Sequence, residues 1–404
     1  MRNLTGAVEK PIRIRALRSR RAVSLSGLIL VVLVGLGVLL SRQTPTAAPG
    51  SSYLQTNIVS DVKGTARVTD PKLINPWGIV SGADTPFWIA DNSAGVSTLY
   101  TGAGTSFPGA PASVAIPAPA GSPAGAAGAP TGVVFNGSPS FIVRQGGTSG
   151  PSLFLFSTED GTIAGWSPAA NAASAIIAVD NAAQGAVYKG LAIATSGPRT
   201  LLYTANFRED SIDVFDGNFQ PVVNAGAFAD PQIPAGFAPF NIANLNGKLY
   251  VSYAKQNGAK HDDVAGVGNG YVDAYDLNGR LVGRLISGGT LNSPWGLALA
   301  PKGFGKFGTD LLVGNFGDGK INAFDPLSGK FLGALNDQHG KTLRIDELWG
   351  LAFGNGQNTG DPNTLFFTAG VGGEKHGLVG SLQPMGASRG SATTSASGAS
   401  GYGY

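Results

Sequence analysis

The chain has no cysteine among its 404 residues, which excludes disulfides, thiolate metal sites, cysteine nucleophiles and a lipid-modified cysteine anchor. Histidine is scarce, with three residues, and charged residues make up only 13% of the chain. The sequence contains no motif for nucleotide, dinucleotide or zinc binding, and no serine-hydrolase elbow. What it contains in quantity is hydrophobic residues (43%), 61 glycines and 25 prolines. This composition is typical of an all-β fold with many short strands and turns.

The net charge of +3 is unevenly distributed along the chain. Residues 1–48 hold eight basic residues and one acidic residue, a local charge of +7. The remaining 20 basic and 24 acidic residues give the body of the protein a charge of −4. A mildly acidic body without a basic stripe predicts no nucleic-acid partner.

The N-terminal segment predicts export. Its arginine-rich start is followed by an uncharged, almost wholly apolar run at residues 25–40 and then by polar residues. The run is shorter than the ~20 residues that cross a bilayer, and small residues near position 47 offer a cleavage site. Residues 1–48 are therefore predicted to be a signal peptide or an uncleaved membrane anchor. The protein would be periplasmic, extracellular or tethered outside the inner membrane, with this segment as its only membrane contact.

A short motif recurs six times: a proline or another bulky residue begins it, and a small residue and an aliphatic run end it. Measured at the third position of each copy, the spacings are 54, 58, 51, 55 and 54 residues. A period near fifty with β-type composition predicts a six-bladed β-propeller over residues 53–384. The copies are Pro76-Trp77-Gly78-Ile79, Pro130-Thr131-Gly132-Val133, Tyr188-Lys189-Gly190-Leu191, Pro239-Phe240-Asn241-Ile242, Pro294-Trp295-Gly296-Leu297 and Leu348-Trp349-Gly350-Leu351.

The last repeat period contains only three strand patterns before the low-complexity tail. Residues 53–59 form one more strand pattern, which lies before the first period and belongs to no repeat. We therefore predict that this N-terminal strand completes the last blade and closes the ring, leaving no open edge. Residues 385–404 are predicted to be a disordered Gly/Ser/Ala tail. Residues 103–130 and 255–270 are long insertions, predicted to be surface loops, and such loops often carry recognition.

Several polar residues lie where the innermost strands begin, next to the predicted axial channel. Asn241 is the most informative, because the other five copies have glycine at its position. Oxygen donors of this kind suit Ca²⁺ or Mg²⁺, although such side chains also cap turns. A second acidic pair lies on the glycine-rich loop 255–270, where a solvated loop is the alternative. The candidate metal ligands are Asn75, Asn241, Asn292 and Glu347 at the strand starts, and Asp262 and Asp263 on the loop.

Trp77, Trp295 and Trp349 share one column of the repeat. Such rings stack sugars or peptide side chains at a channel mouth, or they pack as wedges between blades. The sequence shows no catalytic side chain together with a second side chain that would assist it. The candidate general base is His376, with Glu374 two residues before it.

The motifs PWGLALAP and TDLLVGNFGDGKINAFDP resemble NHL-repeat propellers. NIVSDV, NPWGI and AKQNGAKHDDVAGVGNGYVDAYD resemble an uncharacterised family of exported bacterial proteins, many of which carry a PEP-CTERM sorting tail. The resemblance covers residues 53–384 and implies the propeller fold, without an activity to transfer. This chain lacks the Pro-Glu-Pro signal of that tail. The polar strand starts resemble the axial cation site of lactonase-type propellers, and a likeness to streptogramin lyases would make His376 a base.

The sequence as a whole favours an exported binding or scaffold module of the cell envelope, monomeric, which recognises a glycan, a peptide or a protein partner. The alternative is a divalent-cation-dependent enzyme of the lactonase or lyase type. Both functions use the same fold, so the fold does not select between them.

Overall fold

The computed structural model describes residues 50–386, except Pro198 and Asn224. The predicted export segment and residues 387–404 of the predicted tail lie outside this range. Among the described residues, no helix has the length and apolarity needed to cross a bilayer. The regular secondary structure of the described residues is β-strand, apart from two short 3-10 helices at Asn92–Ala94 and Gly305–Phe307.

The strands are numbered in chain order. The first thirteen are β1 (Tyr53–Ser60), β2 (Val68–Thr69), β3 (Pro76–Val80), β4 (Phe87–Asp91), β5 (Val96–Tyr100), β6 (Ser113–Ala115), β7 (Pro130–Phe135), β8 (Ile142–Gln145), β9 (Thr148–Pro151), β10 (Phe154–Thr158), β11 (Thr162–Trp166), β12 (Ile176–Asp180) and β13 (Tyr188–Ser196). The other thirteen are β14 (Arg199–Asn206), β15 (Ser211–Phe215), β16 (Phe237–Leu245), β17 (Lys248–Lys255), β18 (Tyr271–Tyr275), β19 (Leu281–Ser287), β20 (Pro294–Leu299), β21 (Leu311–Asn315), β22 (Ile321–Phe324), β23 (Phe331–Ala334), β24 (Leu348–Phe353), β25 (Leu365–Ala369) and β26 (Leu378–Pro384).

Of these strands, 24 form six sheets, which confirms the predicted six-bladed propeller, and β8 and β9 form a separate two-stranded sheet. In blade order the sheets are β3-β4-β5-β6, β7-β10-β11-β12, β13-β14-β15, β16-β17-β18-β19, β20-β21-β22-β23 and β24-β25-β26-β1-β2. Each innermost strand carries one copy of the repeat and packs beside the innermost strand of the next blade. Because β24 also packs beside β3, the ring is closed.

The last sheet joins the two ends of the chain, as predicted. β1 pairs antiparallel with β26, from Tyr53 opposite Pro384 to Ser60 opposite Leu378. The Tyr53 hydroxyl also donates to the Phe304 carbonyl in blade five at 3.1 Å. With Tyr53 and Val59 fully buried, the N-terminal strand is part of the core.

The glycines of the repeat are explained by the close approach of neighbouring blades. A Cβ on Gly350 would lie 2.6 Å from the carbonyl oxygen of Trp77, and one on Gly78 would lie 2.7 Å from that of Thr131. Since these distances are shorter than any van der Waals contact, a side chain cannot be added there without moving the backbone. Asn241, the exception, instead donates from Nδ2 to the Trp295 carbonyl of blade five at 2.6 Å.

Three features depart from the expected regular blade. Blade three has three strands, because only a short turn at residues 216–222 pairs back with β15, and residues 225–236 cross to blade four, where Phe228 contacts Tyr275 with ring centroids 5.2 Å apart. Blade two carries an additional hairpin, β8–β9, that the sequence did not predict. Residues 103–130 are not loop throughout, because they supply β6, which pairs with β5 as the outer strand of blade one. Residues 256–270 form a long connection between β17 and β18, as predicted.

Candidate functional site at the channel mouth

Antiparallel pairing places the start of each innermost strand beside the end of the second strand of the same blade. At this end of the channel, side chains contributed by blades one, two, three, four and six lie in one continuous chain of hydrogen bonds and ion pairs. We call this chain the mouth network. Its members, in order around the channel, are Glu374, Asn75, Asn92, Glu159, Lys189 and Asp262.

Two asparagines connect the carboxylates of the network. Asn75 donates from Nδ2 to Glu374 Oε2 at 2.8 Å and lies 3.4 Å from Asn92 Oδ1. Asn92 donates from Nδ2 to Glu159 Oε2 at 2.8 Å. The Asn75 oxygen in turn accepts the indole N–H of Trp349 at 3.1 Å, which fixes the orientation of the amide. The network is therefore rigidly attached to the innermost strands.

Lys189 is the centre of positive charge in the network. Its side chain is 1% exposed and forms an ion pair with Glu159. The ammonium also lies 4.9 Å from the ring centroid of Trp77 and 4.0 Å from Asp262 Oδ1. Burying an ammonium is costly unless a carboxylate and other electron-rich groups surround it, and Lys189 has both.

Glu374 is a carboxyl group that titrates near neutral pH. Burial, together with the nearby carboxylates of Glu159 and Glu347, raises its pKa to about 7, although the Asn75 hydrogen bond and Lys189 oppose the shift. Glu374 has no ion-pair partner within 4 Å among the described residues. A carboxyl group with such a pKa can both donate and accept a proton at physiological pH.

Glu347, a predicted metal ligand, holds a loop in place. Its Oε2 accepts the backbone N–H groups of Gly373 and Glu374 at 2.8 and 3.0 Å. Gly372, Gly373 and Glu374 have φ angles of 78°, 74° and 59°, so consecutive N–H groups converge on one anion. The Glu347 carboxylate serves as that anion.

The other predicted ligands at the strand starts also have structural partners. Asn241 Oδ1 accepts the next backbone N–H of its own strand at 2.8 Å. Asn292 Oδ1 accepts a backbone N–H of the loop 256–270 at 2.7 Å. Each of the four predicted ligands at the strand starts therefore makes hydrogen bonds to different partners: Asn75, Asn241, Asn292 and Glu347.

A different set of potential ligands meets at the mouth. Oxygen or nitrogen atoms of Glu159, His261 and Asp262 lie within 4.8 Å of one another. Lys189, however, already pairs with Glu159. An ion bound about 4 Å from this ammonium would be repelled by it. The repulsion is on the order of 4 kcal/mol for each positive charge of the ion at an effective dielectric constant near 20. The residues present therefore fit Ca²⁺ or Mg²⁺ poorly while Lys189 is protonated.

Asp263, the second acidic residue of the loop, lies in a different environment from Asp262. Burial raises the pKa of the Asp263 carboxyl group, while Ser293 and Lys189 oppose this shift. The Asp262 side chain is 62% exposed. The two neighbouring carboxyl groups are therefore not equivalent ligands for one ion.

The three tryptophans lie together in the channel beneath the mouth network. Trp77 and Trp349 stack with ring centroids 3.6 Å apart, and Trp295 meets both rings edge-on. None is more than 4% exposed, which favours their role as packing wedges. Phe316, which is partly exposed, stacks on Trp349 at 4.1 Å and continues the stack outward.

His376 and Glu374 take part in separate interactions. His376 Nδ1 lies 2.7 Å from Asp61 Oδ2, and the backbone N–H of Gly377 donates to the other Asp61 oxygen at 2.8 Å. Asp61 follows β1, so this pair links the N-terminal strand to the last blade. Glu374, in contrast, belongs to the mouth network through Asn75.

Sequence reasoning missed Lys189, Asn92 and Glu159. Lys189 occupies the repeat column that holds Trp77, Thr131, Phe240, Trp295 and Trp349 in the other blades. A lysine in a mostly aromatic column was the signal that could have identified it. Asn92 and Glu159 directly follow the second strands of their blades, so their positions at strand ends could be predicted from the sequence. Their convergence at the channel mouth could not.

Comparison with known proteins places the chain among viral relatives. It is 35% identical over 333 residues to Uncharacterized protein R648 of Acanthamoeba polyphaga mimivirus, a match that covers 80% of this chain and 78% of the viral protein. It is 34% identical over 334 residues to Uncharacterized protein L690 of the same virus, covering 80% and 84%. The chain belongs to the family of these mimivirus proteins. No protein-family model matches the chain.

These two relatives are viral. The sequence motifs resemble exported bacterial proteins, so a bacterial origin of this chain stays a prediction. A solved structure of a streptogramin B lyase is also similar, with a TM-score of 0.48 and 12% identity, covering 83% of this chain and 99% of that one.

Proposed function

We propose that the chain is an exported binding propeller of the cell envelope that recognises a glycan, a peptide or a protein partner at the mouth network. The observation that supports this proposal is the network itself, in which side chains from five blades hold three carboxylates, two amides and an ammonium around one channel mouth. Convergent polar groups above an aromatic floor are typical of binding sites. Export rests on the basic and apolar N-terminal segment of the sequence.

Binding is tested by probing glycan and peptide arrays with the full chain. The site is then tested with Glu374→Gln, which removes the network's unpaired carboxylate and keeps its shape. Asp84→Asn, an exposed residue in the turn between β3 and β4 at the opposite end of the channel, is the matched control. We expect Glu374→Gln to weaken binding about tenfold and the control to leave it unchanged. Arrays without a reproducible partner, or equal binding by both variants, would contradict the proposal.

The alternative, a divalent-cation-dependent enzyme of the lactonase or lyase type, has less support because Lys189 pairs with Glu159 in the set of possible ligands. Elemental analysis of the purified full chain, combined with thermal unfolding in Ca²⁺, Mg²⁺ or chelator, distinguishes the two functions. A stoichiometric ion whose removal lowers the unfolding temperature would favour the enzyme.

A further inference from the structure

The loop 256–270 lies across the channel mouth and contacts three other blades. Near its start, Gln256 Nε2 donates to the Phe207 carbonyl of blade three at 2.5 Å. Near its end, the Gly266 N–H donates to Asn292 Oδ1 of blade five at 2.7 Å. Between these attachments, Asp262 reaches the Lys189 ammonium beside Glu159 of blade two. The loop is thus fixed at both ends, with its tip over the mouth network.

The tip is attached more weakly than the ends. Asp262 is 62% exposed, and its Oδ1 is 4.0 Å from Lys189 Nζ, the outer limit for an ion pair. The tip is otherwise folded on itself, because the Asn257 side chain accepts the backbone N–H groups of Ala259 and His261 at 3.1 Å. A compact tip of this kind can move as one unit when the Asp262 contact breaks.

A ligand can reach the Lys189 ammonium only if the groups that cover it move. With the loop in place, its side chain is 1% exposed, so a ligand cannot contact the ammonium directly. Removing the Asp262 contact leaves Lys189 with its Glu159 ion pair, the face of Trp77 and the nearby buried carboxyl group of Asp263. The position that Asp262 gives up is then a place for another hydrogen-bond acceptor.

We propose that residues 256–270 form a lid over the mouth network, that the Asp262 carboxylate latches this lid to Lys189, and that a ligand carboxylate takes the place of Asp262 when the lid opens. The ligand part of this inference rests on the proposed function. Exchanging one carboxylate for another keeps the charge around Lys189 unchanged, whereas a cationic group would be repelled by the ammonium. The ligand class is therefore a carboxylate, from an acidic sugar or from a peptide.

The latch is tested without any ligand, by the accessibility of the Lys189 amine. Full-length wild type, Asp262→Ala, Asp262→Glu and the control Asp84→Ala are treated with a small amine-acylating ester, and peptide mass spectrometry gives the rate at Lys189. We expect acylation to be about two- to fivefold faster in Asp262→Ala, as the loss of a partly exposed ion pair implies.

Asp262→Glu restores the carboxylate and should react nearly as slowly as wild type, as should the control. Circular dichroism and thermal unfolding confirm that each variant is folded. Equal Lys189 rates in wild type and Asp262→Ala would overturn the latch.

The ligand class is tested on Asp262→Ala with matched probes. Glucuronate is compared with glucose, and acetylglycine with acetylglycinamide, for their ability to slow acylation of Lys189. Slowing by both carboxylates supports the class, and slowing by one alone also identifies its source as sugar or peptide. Slowing by neither would overturn the carboxylate inference. Array partners that are all neutral would also overturn it while leaving the proposed function intact.

Discussion

Asn241 Nδ2 donates to the Trp295 carbonyl oxygen at 2.6 Å, which joins blade four to blade five. At this position the other blades have glycine, and in blades one, five and six its missing Cβ leaves room for a carbonyl oxygen of the neighbouring blade. At Asn241, a side-chain hydrogen bond to the neighbouring blade therefore takes the place of the close contact that glycine allows.

Asn241→Asp should destabilise the protein by about 1–3 kcal/mol, because it removes the donor and places a carboxylate oxygen next to a buried carbonyl. The measurement is the free energy of unfolding in urea. Asn241→Gly, which restores the residue of the other blades, is the control and should cost less than Asn241→Asp. A smaller loss for Asp than for Gly would contradict the role of the hydrogen bond.

Lys189→Met should cost roughly 3–5 kcal/mol, because it leaves the Glu159 carboxylate without its cation. The double variant Lys189→Met with Glu159→Gln removes both charges and should recover much of this loss. Urea unfolding of the two single variants and the double variant gives the coupling energy. Additive losses would show that the two side chains act independently.

The raised pKa of Glu374 makes stability depend on pH. Between its ordinary value near 4.5 and about 7, the folded protein holds a proton that the unfolded chain has lost, so stability falls as pH rises through this window. Glu374→Gln should remove about 1–3 kcal/mol of this decrease. The test is the difference in unfolding free energy between wild type and variant at pH 5 and pH 8. A difference that does not change with pH would contradict the prediction.

Deleting residues 50–62 should abolish cooperative folding. The deletion removes the pairing with β26 and the burial of Tyr53 and Val59, each worth about 1.5–3 kcal/mol, from a total stability of about 5–15 kcal/mol. Asp61→Ala, which removes the contacts to His376 and to the Gly377 N–H but keeps β1, should lower the unfolding temperature and keep the transition cooperative. A soluble deletion variant with a sharp thermal transition would contradict the role of β1.

The repeat determined most of what could be predicted. A period near fifty residues identified all six innermost strands, because every blade needs the same close approach at the same place. The unpaired strand at residues 53–59 had an obvious position, since the last period lacked a fourth strand. The missing outer strand of blade three was not predictable, because residues 225–236 leave their own sheet for contacts such as Phe228 on Tyr275.

The mouth network could be predicted only in part. The sequence placed Asn75 at a strand start, Glu374 beside His376 and Asp262 on the loop 255–270, so each was assigned to a different hypothetical site. Their connection runs through Asn92, Glu159 and Lys189, which lie far apart in sequence and meet only when the ring closes. Periodicity predicts which strands are neighbours, whereas side-chain convergence depends on blade rotation and loop length.

The pairing of β1 with β26 has a consequence for synthesis. The first strand of the domain waits for its partner until the rest of the propeller has been made, because residues 378–384 follow residues 53–60 by more than 300 positions. A nascent or prematurely terminated chain exposes the edge of β1 and cannot complete its sixth sheet. The finished ring therefore forms only after β26 has been synthesised, and a chain still lacking that closure remains accessible to the machinery that handles unfolded polypeptides.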